Sequence, residues 1–154
     1  MTKASPKRSK TKAEWDEIVS KAKQTGKMAN TLAKALGKRY AHRWQFIDFL
    51  GPNGRESAGI VDILAIRKNG KPPSIDGLKR LDRFDMQLIQ VKGGSAALPN
   101  ADEIRRLRIV QECYQADRVV LFEWRKGKTA MFSTLAADGE WHESSASILF
   151  GRKS

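Results

Sequence analysis

Two stretches decide the fold: Gly59-Ile60-Val61-Asp62-Ile63-Leu64-Ala65-Ile66 and Leu88-Ile89-Gln90-Val91-Lys92-Gly93-Gly94. Each is a short run of Ile, Val and Leu, of strand length, stopped by glycine or charge. Each also carries something foreign to an apolar strand. The first has one aspartate at its centre. The second has Gln90 and Lys92 two apart, and residues two apart on a strand share a face. Burying a carboxylate or an ammonium is costly without a partner or a metal. Adjacent strands placing Asp62, Gln90 and Lys92 on one side would satisfy one another and hold a cation.

Outward from these strands the chain punctuates itself. Residues 68–83 contain two Pro and two Gly and cannot continue a strand. They predict a long basic loop, with a helical turn at residues 78–81. Upstream, residues 43–50 are dense in aromatics and predict a strand. Gly51-Pro52-Asn53-Gly54 then predicts a hairpin turn. Residues 13–24 predict a short helix that Thr25-Gly26 breaks. A second helix follows over 28–40, with Met28, Leu32, Ala35, Leu36 and Tyr40 on its apolar face. Downstream, Asn100 caps a helix running to about Gln115, with Asp102 and Glu103 in the first turn, where they suit the dipole. Ile104, Leu107, Val110 and Tyr114 form its buried stripe. Strands follow at 117–124 and 129–135. Residues 136–154 give no firm assignment.

This motif, an Asp on one strand and Gln-x-Lys on the next, resembles that of the PD-(D/E)XK nuclease superfamily. The approach Ser57-Ala58-Gly59-Ile60-Val61-Asp62 looks most like the archaeal Holliday-junction-resolvase branch and similar small bacterial nucleases. The resemblance implies an α/β, restriction-endonuclease-like fold: an αβββαβ core with a mixed central sheet flanked by helices. The predicted order over residues 28–124 matches that core. The domain is then 13–154, with its core at 28–135, after a disordered basic tail at 1–12.

The same resemblance implies a Mg²⁺- or Mn²⁺-dependent endonuclease that hydrolyses phosphodiester bonds in DNA, branched or structured DNA included. Asp62, Gln90 and the carbonyl of Val91 would hold the metal. Lys92 would stand beside the scissile phosphate and stabilise developing charge. Two positions depart from the family. Gln90 replaces a carboxylate, and Asn30 stands where many members carry a helical Glu. Spacing selects none of Glu14, Glu17 and Glu56 as a second acid. The alternatives are an inactive nuclease fold that binds nucleic acid, a basic assembly or RNA-associated protein, and a simple Asp62–Lys92 ion pair.

Composition supports a polyanionic partner. The chain has 154 residues, with 29 Lys+Arg against 17 Asp+Glu and a net charge of +12. That excess favours nucleic acid, DNA over RNA. Residues 1–12 hold five Lys and Arg, and residues 67–83 hold six. Lys34, Lys38, Arg67, Lys68, Lys71, Arg105 and Arg108 are the candidate phosphate contacts. No apolar run approaches the ~20 residues of a membrane span, and no secretory signal is evident. The single cysteine, Cys113, excludes an internal disulfide, fits a cytoplasmic location and suits a helix core better than a nucleophile. His42 and His142 lack partners at zinc-ligand spacing. A homodimer follows only by analogy with branch-cutting relatives.

Overall fold

A computed structural model describes residues 9–49, 59–94, 96–125 and 127–152, with backbone alone for 18–27. The expected turn at 51–54, Glu56 and residues 1–8 of the basic tail lie outside the described residues.

Helix α1 (Lys12–Tyr40) opens on a reciprocal cap. The Thr11 hydroxyl accepts the Glu14 N–H at 3.3 Å, and the Glu14 carboxylate accepts the Thr11 N–H at 2.9 Å. The helix then runs for 29 residues without the expected break at Thr25-Gly26. One interior glycine costs only about 1 kcal/mol relative to alanine, too little to end a capped helix packed on a sheet. Its buried face also differs from the expected one. Ala29, Asn30, Ala33 and Gly37 are buried, with Leu32 and Leu36 packed against the core, whereas Met28, Ala35 and Tyr40 are exposed. Small residues face the sheet because the helix lies close to it: a Cβ on Gly37 would stand 2.8 Å from the Phe46 ring.

Among the described residues the strands are β1 (Gln45–Asp48), β2 (Ile63–Lys68), β3 (Phe84–Gly93), β4 (Arg118–Trp124), β5 (Met131–Leu135) and β6 (Trp141–Ser144). They lie in sequence order across one mixed sheet. Only β3 and β4 are parallel, with Gln90 opposite Leu121, and all other neighbours are antiparallel. A parallel pair needs a crossover, and helix α2 (Ala101–Tyr114) supplies it. Alternation along the strands builds two cores. Ile63, Ala65, Ile89, Val120 and Phe122 face α1 and the short helix α3 (Ala146–Phe150). Val119 and Leu135 face Ile104, Leu107 and Val110 of α2. The chain is thus mixed α/β with helices on both faces of the sheet.

Several expectations need correction. Residues 59–62 precede β2 rather than belong to it. No helical turn forms at 78–81, where Gly77 and Leu81 take φ of 85° and 74° and Lys79–Asp82 closes a turn. The sixth strand begins at Trp141, and α3 drives Phe150 into the core against Phe46, Trp44 and Phe132, so the C-terminal stretch is structural. Tyr114 and Cys113 are exposed because the buried stripe of α2 is narrow and centres on Leu107. No described helix is long and apolar enough to cross a membrane.

Gly37→Ala tests the close approach of α1. Helix propensity alone favours alanine by about 1 kcal/mol. Against the Phe46 ring, which itself packs on Phe150 at 5.0 Å, the methyl should instead destabilise the fold by about 1–3 kcal/mol. Urea unfolding of the two proteins gives the sign.

Candidate functional site

The C-terminal end of β3 is fixed before it is decorated. Gly94, at φ 62°, turns the chain out of the strand, and its N–H donates to the Trp124 carbonyl at 3.0 Å. Arg125 then clamps the turn: Nη1 donates to the Gly94 carbonyl at 2.5 Å and Nη2 to the Ala96 carbonyl at 3.0 Å. Asn100 caps α2 by accepting the Glu103 N–H at 2.9 Å, and the Glu103 carboxylate reaches back to the Asn100 N–H at 3.5 Å. This entry angle brings Glu103 over the strand. Gln90 Nε2 donates to Glu103 Oε2 at 3.4 Å, and Lys92 Nζ lies 3.6 Å from the same oxygen. Gln90 and Lys92 therefore share the α2 face, as their spacing predicts.

Asp62 arrives from the segment that leads into β2. Its N–H donates to the Ile89 carbonyl at 2.9 Å, and its own carbonyl accepts the Phe49 N–H at 3.1 Å. Its Oδ2 accepts the Val91 N–H at 2.7 Å. A side-chain oxygen thus serves the main-chain donor that lies between Gln90 and Lys92. Asp62 stands in a bend just before β2, not mid-strand, because its carboxylate occupies that ladder position.

The amide of Gln90 is 5% exposed, and its Oε1 is buried with no hydrogen-bond partner. Glu103 accepts only, so the NH₂ must face it and the oxygen is the atom left over. An orphaned buried carbonyl oxygen costs about 1–3 kcal/mol and is the hard neutral donor that Mg²⁺ or Mn²⁺ accepts. The donor set fits a divalent cation in that respect: an amide oxygen without a partner, with the Glu103 carboxylate at the same amide and the Asp62 carboxylate on the N–H of the next residue, Val91. No group of three or more His, Cys, Asp or Glu among the described residues converges to hold a metal by itself. Any cation there depends on neutral oxygens, Gln90 Oε1 first.

Other candidate residues are distributed differently. Asn30 is buried, and its Nδ2 donates to Asp48 Oδ1 at 3.1 Å; Lys34 Nζ pairs with Asp48 Oδ2 at 2.9 Å. Lys34 is thus committed to a carboxylate, while Lys38 is exposed. Arg105 pairs with Asp102, and Arg108 donates to the Ala136 carbonyl, where it ties α2 to the β5–β6 turn. Arg67, Lys68 and Lys71 lie at the opposite end of the sheet. Arg67 is paired with Asp85, seven residues before Lys92 on β3, and at about 3.3 Å per residue the two ends stand ~23 Å apart.

Sequence reasoning missed Glu103 and Asp48. Glu103 carried a signal that pointed elsewhere, since an acid three residues after Asn100 completes a capping box. Its second role, toward Gln90 and Lys92, needs the crossover geometry. Asp48, at the end of an aromatic strand, gave no signal before its partner Asn30 was located. No family model matches the chain, and no curated protein or solved structure matches it significantly.

Asp62→Ala should leave the Val91 N–H without its acceptor and cost about 1–3 kcal/mol. Asp62→Asn keeps an oxygen there and should cost less. Denaturant midpoints of the two variants against wild type measure the difference.

Proposed function

We propose that the chain is a metal-dependent nuclease of the PD-(D/E)XK type that cleaves DNA, with Asp62, Gln90, Lys92 and the Val91 carbonyl as its centre and Glu103 as an added acidic member. The observation that carries this reading is the orphaned Gln90 Oε1 on the strand that also presents Lys92 and whose Val91 N–H is taken by the Asp62 carboxylate. The element order α1-β1-β2-β3-α2-β4 agrees with the core that the sequence resemblance implies.

In this reading a divalent cation supplies Lewis acidity and lowers the pKa of an attacking water. The chain's own residues do the rest. Asp62 supplies fixed negative charge, held in place by the Val91 N–H. Gln90 supplies a neutral oxygen at no cost in charge repulsion. Lys92, now held near Glu103, turns toward the phosphate, where its ammonium offsets charge developing on the pentacovalent centre. Glu103 orients both side chains through one oxygen. The basic surface gathers the polyanion.

A second reading, a nuclease fold that binds nucleic acid without cutting it, is favoured by the same amide, since Gln90 leaves the site one carboxylate short. The position-90 variant separates the two. Gln90→Glu places a second carboxylate where the amide now donates to Glu103 at 3.4 Å. Without metal the two charges repel, and the variant should melt below wild type in EDTA. With Mn²⁺ it should gain more stability than wild type, because a ligand that binds the native state stabilises it by RT ln(1 + [L]/Kd). It should also cut branched, duplex or single-stranded DNA faster, while wild type needs millimolar metal and prefers Mn²⁺. Asp62→Asn and Lys92→Ala should fold and not cut. If neither wild type nor Gln90→Glu binds metal or cleaves any DNA or RNA form, the binding module replaces the enzyme.

Affinity for DNA should fall with salt, by about 0.9 in log K per unit of log salt for each duplex phosphate contacted. Deleting residues 1–10, which spares the Thr11 cap of α1, should weaken binding and leave cleavage in place. Fluorescence anisotropy across a salt series measures the slope for each protein.

A further inference from the structure

A cationic cleft of about 280 Å³ lies at the opposite end of the sheet from the Asp62 centre, where the α1–β1 connection, the end of β2, the following loop and the C-terminal segment meet. Its acidic residues are already satisfied. Asp85 accepts from Arg67 Nε at 2.8 Å and from Asn69 Nδ2 at 2.9 Å, and Asp117 accepts the Met86 N–H at 2.8 Å. Apart from Arg67, its cations are not. Arg43, Lys68, Lys71 and Arg152 are exposed around the cleft, and none makes an ion pair among the described residues.

The floor beneath them is built. Arg67 stacks over Trp44 at 4.5 Å and donates to the His42 carbonyl at 3.3 Å, while the His42 N–H donates to the Phe150 carbonyl at 2.8 Å. The next residue, Arg43, is held at φ 65°, a left-handed conformation that costs a non-glycine residue about 1–3 kcal/mol and concentrates at functional sites. Fold stability alone supplies no reason for gathering four unpaired cations around a strained corner. A smaller cleft of about 160 Å³ adjoins it and shares Arg67, Asp85 and Asp117. Two of its lining side chains, Trp44 through Nε1 and Gln87 through Oε1, are buried without hydrogen-bond partners. An unused donor and an unused acceptor thus lie next to the cationic cleft.

We propose that this cleft binds a phosphate monoester, as a site separate from the Asp62 centre. A phosphate monoester is largely dianionic at neutral pH and offers three acceptor oxygens, which suits four convergent cations better than a carboxylate does. The separation follows from the fold. Asp85 and Lys92 are about 23 Å apart along β3, and Asp85 shares the α1 face with Ile89 while Lys92 faces α2. The proposal stands whether or not the Asp62 centre cuts DNA. His42 provides a reporter on the cleft wall. Its pKa is lowered by desolvation and by Arg152, Arg43 and Arg67, so an anion among those cations must raise it.

The test uses the full chain and four probes: inorganic phosphate, a nucleoside 5′-monophosphate, a 5′-phosphorylated oligonucleotide and its 5′-hydroxyl twin. Calorimetry and the His42 ring resonances are followed at constant ionic strength. Saturable phosphate binding, an upward shift of the His42 pKa on binding, and at least tenfold weaker binding in Lys68→Ala/Lys71→Ala/Arg152→Ala are expected. All three positions are exposed, so the variant should keep its fold, and Lys68→Arg/Lys71→Arg should retain affinity. Asp62→Asn should bind phosphate as wild type does. Preference for the 5′-phosphorylated strand over its twin would assign the site to a strand end. Equal binding of phosphate and mononucleotide without that preference would assign it to a free phosphate compound. Phosphate that fails to saturate or to move His42, or equal affinity in the triple-alanine variant, overturns the proposal.

Discussion

The carboxylate of Asp62 takes the N–H of Val91, and the arrangement at this end of the sheet depends on that bond. β2 leaves the ladder at Asp62, so a main-chain donor of β3 would otherwise lack its partner. A side-chain oxygen at 2.7 Å supplies the acceptor and pins the chain between Gln90 and Lys92. The bond does two things at once. It satisfies the backbone where the strand pairing stops, and it holds negative charge beside Gln90 and Lys92. A hydrogen bond to a charged group is worth about 1.5–3 kcal/mol, enough to make that geometry a stable one.

Around this point the charge is balanced locally even though the chain as a whole is strongly basic. Glu103 answers Lys92, and Asp48 answers Lys34 with Asn30 alongside. Four cations without ion pairs among the described residues, Arg43, Lys68, Lys71 and Arg152, line a cleft ~23 Å away, around the strained Arg43 corner. Within a net charge of +12 the fold thus holds one nearly neutral environment with an unsatisfied amide oxygen and one openly cationic cleft.

The strands were legible because their apolar runs were bounded by glycine and charge, and the side-chain period fixed Gln90 and Lys92 on one face. The Asn100 cap was legible for the same local reason: the signal lay within three residues. What failed was everything set by distant contact. Gly26 stayed inside a helix because packing and capping outweigh one residue's propensity. The buried face of α1 was misread because Met28 and Tyr40 are larger and more apolar than Ala29 and Ala33, while close helix–sheet approach selects for small residues. Phe150 belongs to the core although nothing in residues 136–154 announces it. Glu103 reads from sequence as a cap and acts in the fold as a partner of Gln90, because only the crossover brings the start of α2 over the end of β3.

The central claim is that Gln90 Oε1 and the Asp62 carboxylate share a divalent cation. Anomalous diffraction from crystals equilibrated with Mn²⁺ tests it directly. The account predicts one strong peak within bonding distance of Gln90 Oε1 and an Asp62 oxygen, absent from Asp62→Asn crystals grown the same way. A saturating soak that shows no peak there, with Gln90 Oε1 hydrogen-bonded to water or protein, would contradict it.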